Sequence, residues 1–116
     1  QAKPLRTLAG EMTEIFARAS QGKALPDDLK GGTFTITNLG VYDIDAFTPI
    51  INSPECAVLG IGRLAERIVP VAGQPAVRTM VALSLTFDHR LVDGAPAARF
   101  LQRVKQFVEQ PYLWMV

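Results

Sequence analysis

The chain has 116 residues, 48% of them hydrophobic, and a formal net charge of +1, which is typical of one globular domain with a core. That charge balance provides no basic stripe for a nucleic acid, and no apolar run is long enough to span a bilayer. Cys56 is the one cysteine, which excludes an intrachain disulfide and fits a reducing compartment. We therefore expect a single domain over residues 1–116 that binds neither nucleic acid nor membrane.

The first predicted element is an amphipathic helix over residues 4–20. Pro4 suits its first turn, and Gly22 suits the left-handed residue that follows a last turn. The apolar positions of this helix recur at helical spacing: Leu5, Leu8, Met12, Ile15, Phe16 and Ala19. A short helical turn is predicted over residues 24–29, and a β-branched strand over residues 33–38.

The rest of the chain predicts strands joined by turns, and then a second helix. An ordered loop precedes an apolar strand, whose glycines permit another backbone segment to approach closely. A hairpin then leads into a long alternating strand that ends at residue 88. These predicted elements are a loop over residues 41–54, strands over 57–62 and 66–71, a turn over 72–75, and a final helix over 94–109. The order predicts an α+β fold with helices packed on a mixed β-sheet.

His89 is the only histidine, and it lies in the short turn between the last strand and the last helix. Rigid elements on both sides suit a catalytic group, and imidazole titrates near neutral pH, as a general base should. A hydrogen-bonded structural histidine is the alternative. Asp93 is either the N-cap of the final helix or a partner of the site. Asp88 and Arg90 flank the histidine, and an ion pair that holds the local structure is their expected role.

Other candidate groups carry weaker signals. Thr35 and Thr37 place hydroxyls on one face of the first strand, which is also explained by ordinary β-propensity. Cys56 is either a nucleophile or, more commonly, a small buried apolar residue. A metal pair of His89 and Asp93 would lack any further histidine, so no metal is expected. The sequence has no nucleophile elbow, P-loop or dinucleotide fingerprint.

Four segments resemble the acyltransferase components of 2-oxo acid dehydrogenase complexes. They are FDHRLVDG at 87–94, GGTFTITNLG at 31–40, FTPIIN at 47–52 and VLGIGR at 58–63. The histidine segment alone is shared with chloramphenicol acetyltransferases, and the others favour the dehydrogenase family. The resemblance implies a chloramphenicol-acetyltransferase-like fold, of which this chain is the C-terminal half. Thr37 stands where the family often has serine.

The resemblance also implies the reaction, which is acyl transfer between dihydrolipoamide and coenzyme A without a metal. His89 would remove the thiol proton, Thr37 would stabilise the oxyanion, and Asp93 would hold the loop and the helix start. Acetyl, succinyl and branched-chain members share these motifs. The alternatives are a free acetyltransferase of the chloramphenicol acetyltransferase kind and a structural core subunit without catalysis.

The implied assembly is a homotrimer with its active sites between subunits. His89 would come from one chain and Thr37 from its neighbour. The uncharged apolar tail over residues 112–116 either folds back on its own domain or docks on a neighbouring trimer, and docking would build a hollow cubic core. The expected partners are lipoyl domains and the dehydrogenase components, in the cytoplasm or the mitochondrial matrix.

Overall fold

The computed structural model describes residues 3–114, which form two compact units, one of residues 3–32 and 107–114 and the other of residues 33–106. The helices and strands are α1 (Leu5–Ser20), β1 (Thr35–Asn38), β2 (Ala57–Ile61), β3 (Ala65–Val71), β4 (Gln74–Met80), β5 (Leu83–Phe87) and α2 (Gly94–Glu109). Short 3₁₀ turns lie at Pro26–Leu29, Gly40–Tyr42 and Pro111–Trp114. Among the described residues, no helix combines the length and apolarity needed to cross a membrane.

A three-stranded sheet in the order β1-β2-β5 forms the centre of the larger unit. β1 runs parallel to β2, and β5 runs antiparallel to it, so the predicted mixed sheet is confirmed. Residues 57–60 of β2 are all buried. A strand that is paired on both edges and covered on both faces needs a continuous apolar run, and the sequence AVLGI supplies one.

The first half of α2 packs on this sheet. Ala97 is the buried residue of the helix and is only 4% exposed. The ring of Phe100 lies 5.7 Å from that of Phe34, which directly precedes β1. An apolar cavity of about 230 Å³ lies between the helix and the sheet, with Leu85 and Phe87 in its lining. The predicted α+β arrangement, with a helix against a mixed sheet, is therefore confirmed.

The prediction of one continuous strand ending at residue 88 is wrong. The strand is interrupted at Val81 and Ala82. β4 pairs with β3 in a separate hairpin, whereas β5 pairs with β2. Side-chain alternation continues through the interruption, so periodicity could not show that its two halves belong to different sheets.

The β3–β4 hairpin turns on two residues with positive φ, Ala72 at 50° and Gly73 at 77°. Positive φ at both central residues defines the type I′ turn, whose twist matches the twist of the strands beside it. The predicted turn over residues 72–75 is thus shorter, since Gln74 and Pro75 already belong to β4.

In the smaller unit, α1 ends as the sequence predicts. Gly22 adopts φ 69°, and its N–H donates to the carbonyl of Ala19 at 3.0 Å, while Lys23 N–H donates to the carbonyl of Arg18 at 2.8 Å. This pair of bonds is the Schellman motif. Arg18 also forms an ion pair with Asp28 at 2.9 Å, which joins the helix to the following 3₁₀ turn.

Close backbone packing at the end of β2 depends on glycine. A Cβ at Gly60 would come within 2.9 Å of the Phe47 ring, and one at Gly62 would collide with the carbonyl of Asp45. Neither glycine has positive φ, so the requirement is steric. Arg63 fastens the same loop through an N–H bond to the Ile44 carbonyl at 2.8 Å and an ion pair with Asp45.

We expect Gly62→Ala to lower the free energy of unfolding by about 1–3 kcal/mol, since the new methyl group meets a backbone carbonyl that other bonds hold in place. The matched control is Gly10→Ala, because Gly10 lies within α1 and has open space around it. The control should gain about 0.5–1 kcal/mol of stability. Thermal unfolding of the full-length protein measures both changes, and equal stability of the two variants would contradict the close packing at Gly62.

Candidate active site

The turn that presents His89 is fixed by the backbone of its neighbour Asp88. The Asp88 N–H donates to the Cys56 carbonyl at 2.8 Å, which extends the β2–β5 pairing one step past the last strand residue. The Asp88 carbonyl accepts from the N–H groups of Leu91 at 3.0 Å and Val92 at 3.1 Å. His89 therefore lies within a closed turn that the central sheet anchors.

The Asp88 side chain stabilises the same turn through further bonds to Arg90. Its carboxylate accepts from the Arg90 backbone N–H at 2.9 Å and forms an ion pair with the Arg90 guanidinium at 2.6 Å. The guanidinium, and then the backbone N–H, lower the pKa of Asp88 to about 2. The predicted Asp88–Arg90 ion pair is confirmed, and it holds the backbone on both sides of His89.

The imidazole of His89 is left open to solvent, with 72% of the side chain exposed. Its ring lies 5.7 Å from the ring of Phe87, at the end of β5. Asp93 approaches it, with Oδ1 3.9 Å from Nδ1, which is too long for a hydrogen bond but close enough for charge interaction. The backbone carbonyl of Asp93 also accepts from the Ala97 N–H at 3.2 Å, so Asp93 occupies the start of α2.

His89 faces an open cleft of about 850 Å³, hereafter the His89 cleft. One wall is the turn that carries His89, and the other is the segment immediately before β2. The residues that line it are Ile51, Ser53, Pro54, Glu55, Phe87, Asp88, His89, Arg90 and Leu91. Within residues 3–114, no cluster of three His, Cys, Asp or Glu side chains could hold a metal ion.

The sequence reasoning did not identify Glu55 as a site residue. Ala57 pairs with Phe87, the Cys56 carbonyl accepts from the Asp88 N–H, and the next residue on each segment, Glu55 and His89, lines the cleft. The available signal was an acidic residue directly before a buried apolar strand. It becomes informative only once that strand is known to pair with the one leading to His89.

Thr37 lies far from His89 within the chain. It pairs with Gly60 near the end of β2, whereas Phe87 pairs with Ala57 at the start of β2. Strand geometry therefore separates Thr37 from Phe87 by about 10 Å along the strands and by two strand spacings of about 4.8 Å across them. His89 lies two residues beyond Phe87. Thr37 and His89 thus lie at opposite ends of one sheet and form no common site in one chain.

Comparisons of sequence and of structure with known proteins match this chain to the same family of acyltransferases. A sequence model of the 2-oxoacid dehydrogenases acyltransferase catalytic domain matches residues 1–116. The acetyltransferase component of the acetoin cleaving system of Bacillus subtilis is 49% identical over 106 residues, which cover 90% of this chain and 26% of that protein. This chain thus spans about a quarter of that relative's length.

Two solved structures are also similar. One comes from an investigation of a serine, a histidine and an asparagine in the catalytic mechanism of Azotobacter vinelandii dihydrolipoamide acetyltransferase; its TM-score is 0.90 at 37% identity. The other is the cubic core of the pyruvate dehydrogenase multienzyme complex, with a TM-score of 0.90 at 36% identity. Each match covers 99% of this chain and 47% of the solved chain.

We expect the Asp88–Arg90 ion pair to make the stability of the turn depend on pH. Because folding lowers the pKa of Asp88 to about 2, its contribution is present above the unfolded pKa near 4 and is lost as pH falls towards 2. Asp88→Asn should therefore melt at a lower temperature than the wild type at pH 7, and the difference should vanish near pH 2. Asp27→Asn, at an exposed aspartate of a 3₁₀ turn, is the control. A difference independent of pH would contradict this role of the Asp88 charge.

Proposed function

Since the chain belongs to the acyltransferase family of the 2-oxoacid dehydrogenases, we propose that it supplies part of the catalytic domain of an enzyme that transfers acyl groups between dihydrolipoamide and coenzyme A. The observation that carries this proposal is the exposed imidazole of His89, which lines a wide cleft. Backbone and side-chain hydrogen bonds of Asp88 stabilise the turn that presents it. A cleft of this size and openness admits a long substrate from solvent.

The chemistry requires a base because both substrates are thiols. A free thiol with a pKa near 8.5 is mostly protonated at neutral pH, and only the thiolate attacks effectively. His89 takes the thiol proton while the sulfur forms its bond to the thioester carbon. Collapse of the tetrahedral intermediate breaks the bond to the other sulfur, which recovers the proton from His89. Such general base catalysis contributes about 10²–10⁴-fold to the rate.

Thr37 is the proposed donor to the oxyanion that forms during this attack. In the Azotobacter enzyme, the serine precedes the histidine by the same interval that separates Thr37 from His89. A threonine hydroxyl can donate the same hydrogen bond as serine, and its added methyl group restricts the rotamer. One such donor is worth about 10²–10³-fold in rate.

Asp93 is the proposed positioning residue of His89. Its carboxylate lies 3.9 Å from Nδ1, so a small movement would let it accept the Nδ1–H and leave Nε2 free as the base. In the Azotobacter enzyme, the asparagine follows the histidine by the interval that separates Asp93 from His89. Both side chains offer an oxygen acceptor, but only aspartate adds a negative charge.

The separation of Thr37 and His89 supports a site shared between subunits. Because the two residues lie at opposite ends of one sheet, one chain cannot place both on the same thioester. A ring of three chains would bring the Thr37 end of one subunit to the His89 end of the next. The similar cubic core of the pyruvate dehydrogenase complex supports assembly of such units into a larger particle.

We expect the full-length variants His89→Ala and Thr37→Val each to lose about 10²-fold or more of the acyl-transfer rate. Co-assembly of the two inactive variants in equal amounts should restore about a quarter of the wild-type activity, because random trimers then carry that fraction of intact sites. Thiol release from acetyl-CoA and dihydrolipoamide measures the rate, and Thr37→Ser is the control that keeps the hydroxyl. Mixtures that stay inactive would argue for a site within one chain.

The tail is the proposed link between trimers. Pro111–Trp114 forms a 3₁₀ turn, and the Tyr112 hydroxyl donates to Gln110 Oε1 at 3.0 Å. Tyr112 remains 61% exposed and so is free to meet another surface. Met115 and Val116 lie outside the described residues.

Deletion of residues 112–116 from the full-length protein should reduce the particle to trimers, because each large apolar side chain that docks is worth about 1.5–3 kcal/mol and symmetry repeats the contact. Light scattering measures the mass. Particles of unchanged mass would contradict docking, and unfolded monomers would indicate a tail that packs on its own domain.

A further inference from the structure

We propose that Glu55 makes the His89 cleft selective for uncharged acyl groups over acyl groups that end in a carboxylate. The inference rests on the proposed acyl transfer and adds to it the chemical class of the acyl substrate. Glu55 lines the cleft together with His89, and each residue lies one position beyond the backbone bond from the Asp88 N–H to the Cys56 carbonyl.

The carboxylate of Glu55 is held in place by uncharged partners. The Thr35 hydroxyl donates to Oε2 at 2.5 Å, and the Asn52 side-chain amide donates to Oε1 at 3.5 Å. The Glu55 backbone N–H donates to the Asn52 carbonyl at 2.9 Å, which fixes the start of the side chain as well. The negative charge therefore keeps one position on the cleft wall, and neither of these side-chain partners neutralises it.

The cationic side chain that lines the cleft already forms an ion pair. Among the described residues that line it, Arg90 has the one permanently charged cationic side chain, and the carboxylate of Asp88 binds it at 2.6 Å. The lining of this part of the cleft thus combines a neutralised ion pair with the additional carboxylate of Glu55. An acyl group with its own carboxylate meets repulsion from Glu55 there, whereas an uncharged acyl group does not.

The reaction places the acyl group in this cleft. The thiol that loses its proton to His89 attacks the thioester carbon, so that carbon lies within a few bond lengths of the imidazole. The remainder of a short acyl group then extends into the space between the two walls. A fixed charge on the wall of that space opposes a carboxylate carried by the acyl group, because charge interactions in a protein cleft are less screened than in bulk water.

The test compares acetyl-CoA with succinyl-CoA as donors to dihydrolipoamide, using the full-length enzyme. Both donors carry the same coenzyme A, so the ratio of their kcat/KM values reports on the acyl group alone. The variants are Glu55→Gln, which removes the charge, and Glu55→Asp, which keeps it. Glu66→Gln is the matched control, because Glu66 is an exposed glutamate of β3 outside the lining of the cleft.

We expect the wild type to prefer acetyl-CoA and Glu55→Gln to raise the succinyl-to-acetyl ratio by about tenfold, because the variant lacks the repelling charge. Glu55→Asp and Glu66→Gln should keep the wild-type preference. Added salt should raise the ratio in the wild type by screening, which tests the inference without any substitution.

An unchanged ratio in a folded, active Glu55→Gln variant would overturn the inference while leaving the proposed acyl transfer intact. A wild type that prefers succinyl-CoA would do the same. A wild type that transfers neither acyl group, although folded and assembled, would overturn the proposed function and this inference with it.

Discussion

The pairing of β2 on both of its edges is the interaction on which the larger unit depends. Buried backbone N–H and C=O groups are costly to leave unpaired, so a buried strand must complete its hydrogen bonds with its neighbours. β1 and β5 satisfy β2, and the bond from Asp88 N–H to the Cys56 carbonyl continues that pairing beyond β5. The position of His89 therefore follows from the same bonds that hold the core together.

The two acidic side chains of the His89 cleft are used differently because their partners differ. Asp88 binds the guanidinium and the backbone N–H of Arg90, so its charge serves to close the turn. Glu55 binds a hydroxyl and an amide, and neither of these groups carries a positive charge. Two carboxylates that line one cleft thus differ in their partners, and the role proposed for Glu55 rests on that difference.

Several large apolar side chains of the larger unit are exposed to solvent. On β1, Thr35 and Thr37 are half-buried, whereas Ile36 on the opposite face is 62% exposed. Ile50 and Leu64 are also exposed. Large exposed apolar side chains are typical of surfaces that bind another protein segment or subunit. This agrees with a chain that spans about half of the similar solved chains.

The sequence by itself determined the elements that depend on local interactions. Both long helices, the glycine at the end of α1 and the turn around His89 follow from contacts within a few residues, which apolar spacing and capping residues record directly. The tertiary structure alone decided the break at Val81 and the position of Glu55 in the same cleft as His89. Both depend on which segments pair with β2. These segments are distant along the chain, and the periodicity of a sequence does not record which strands pair.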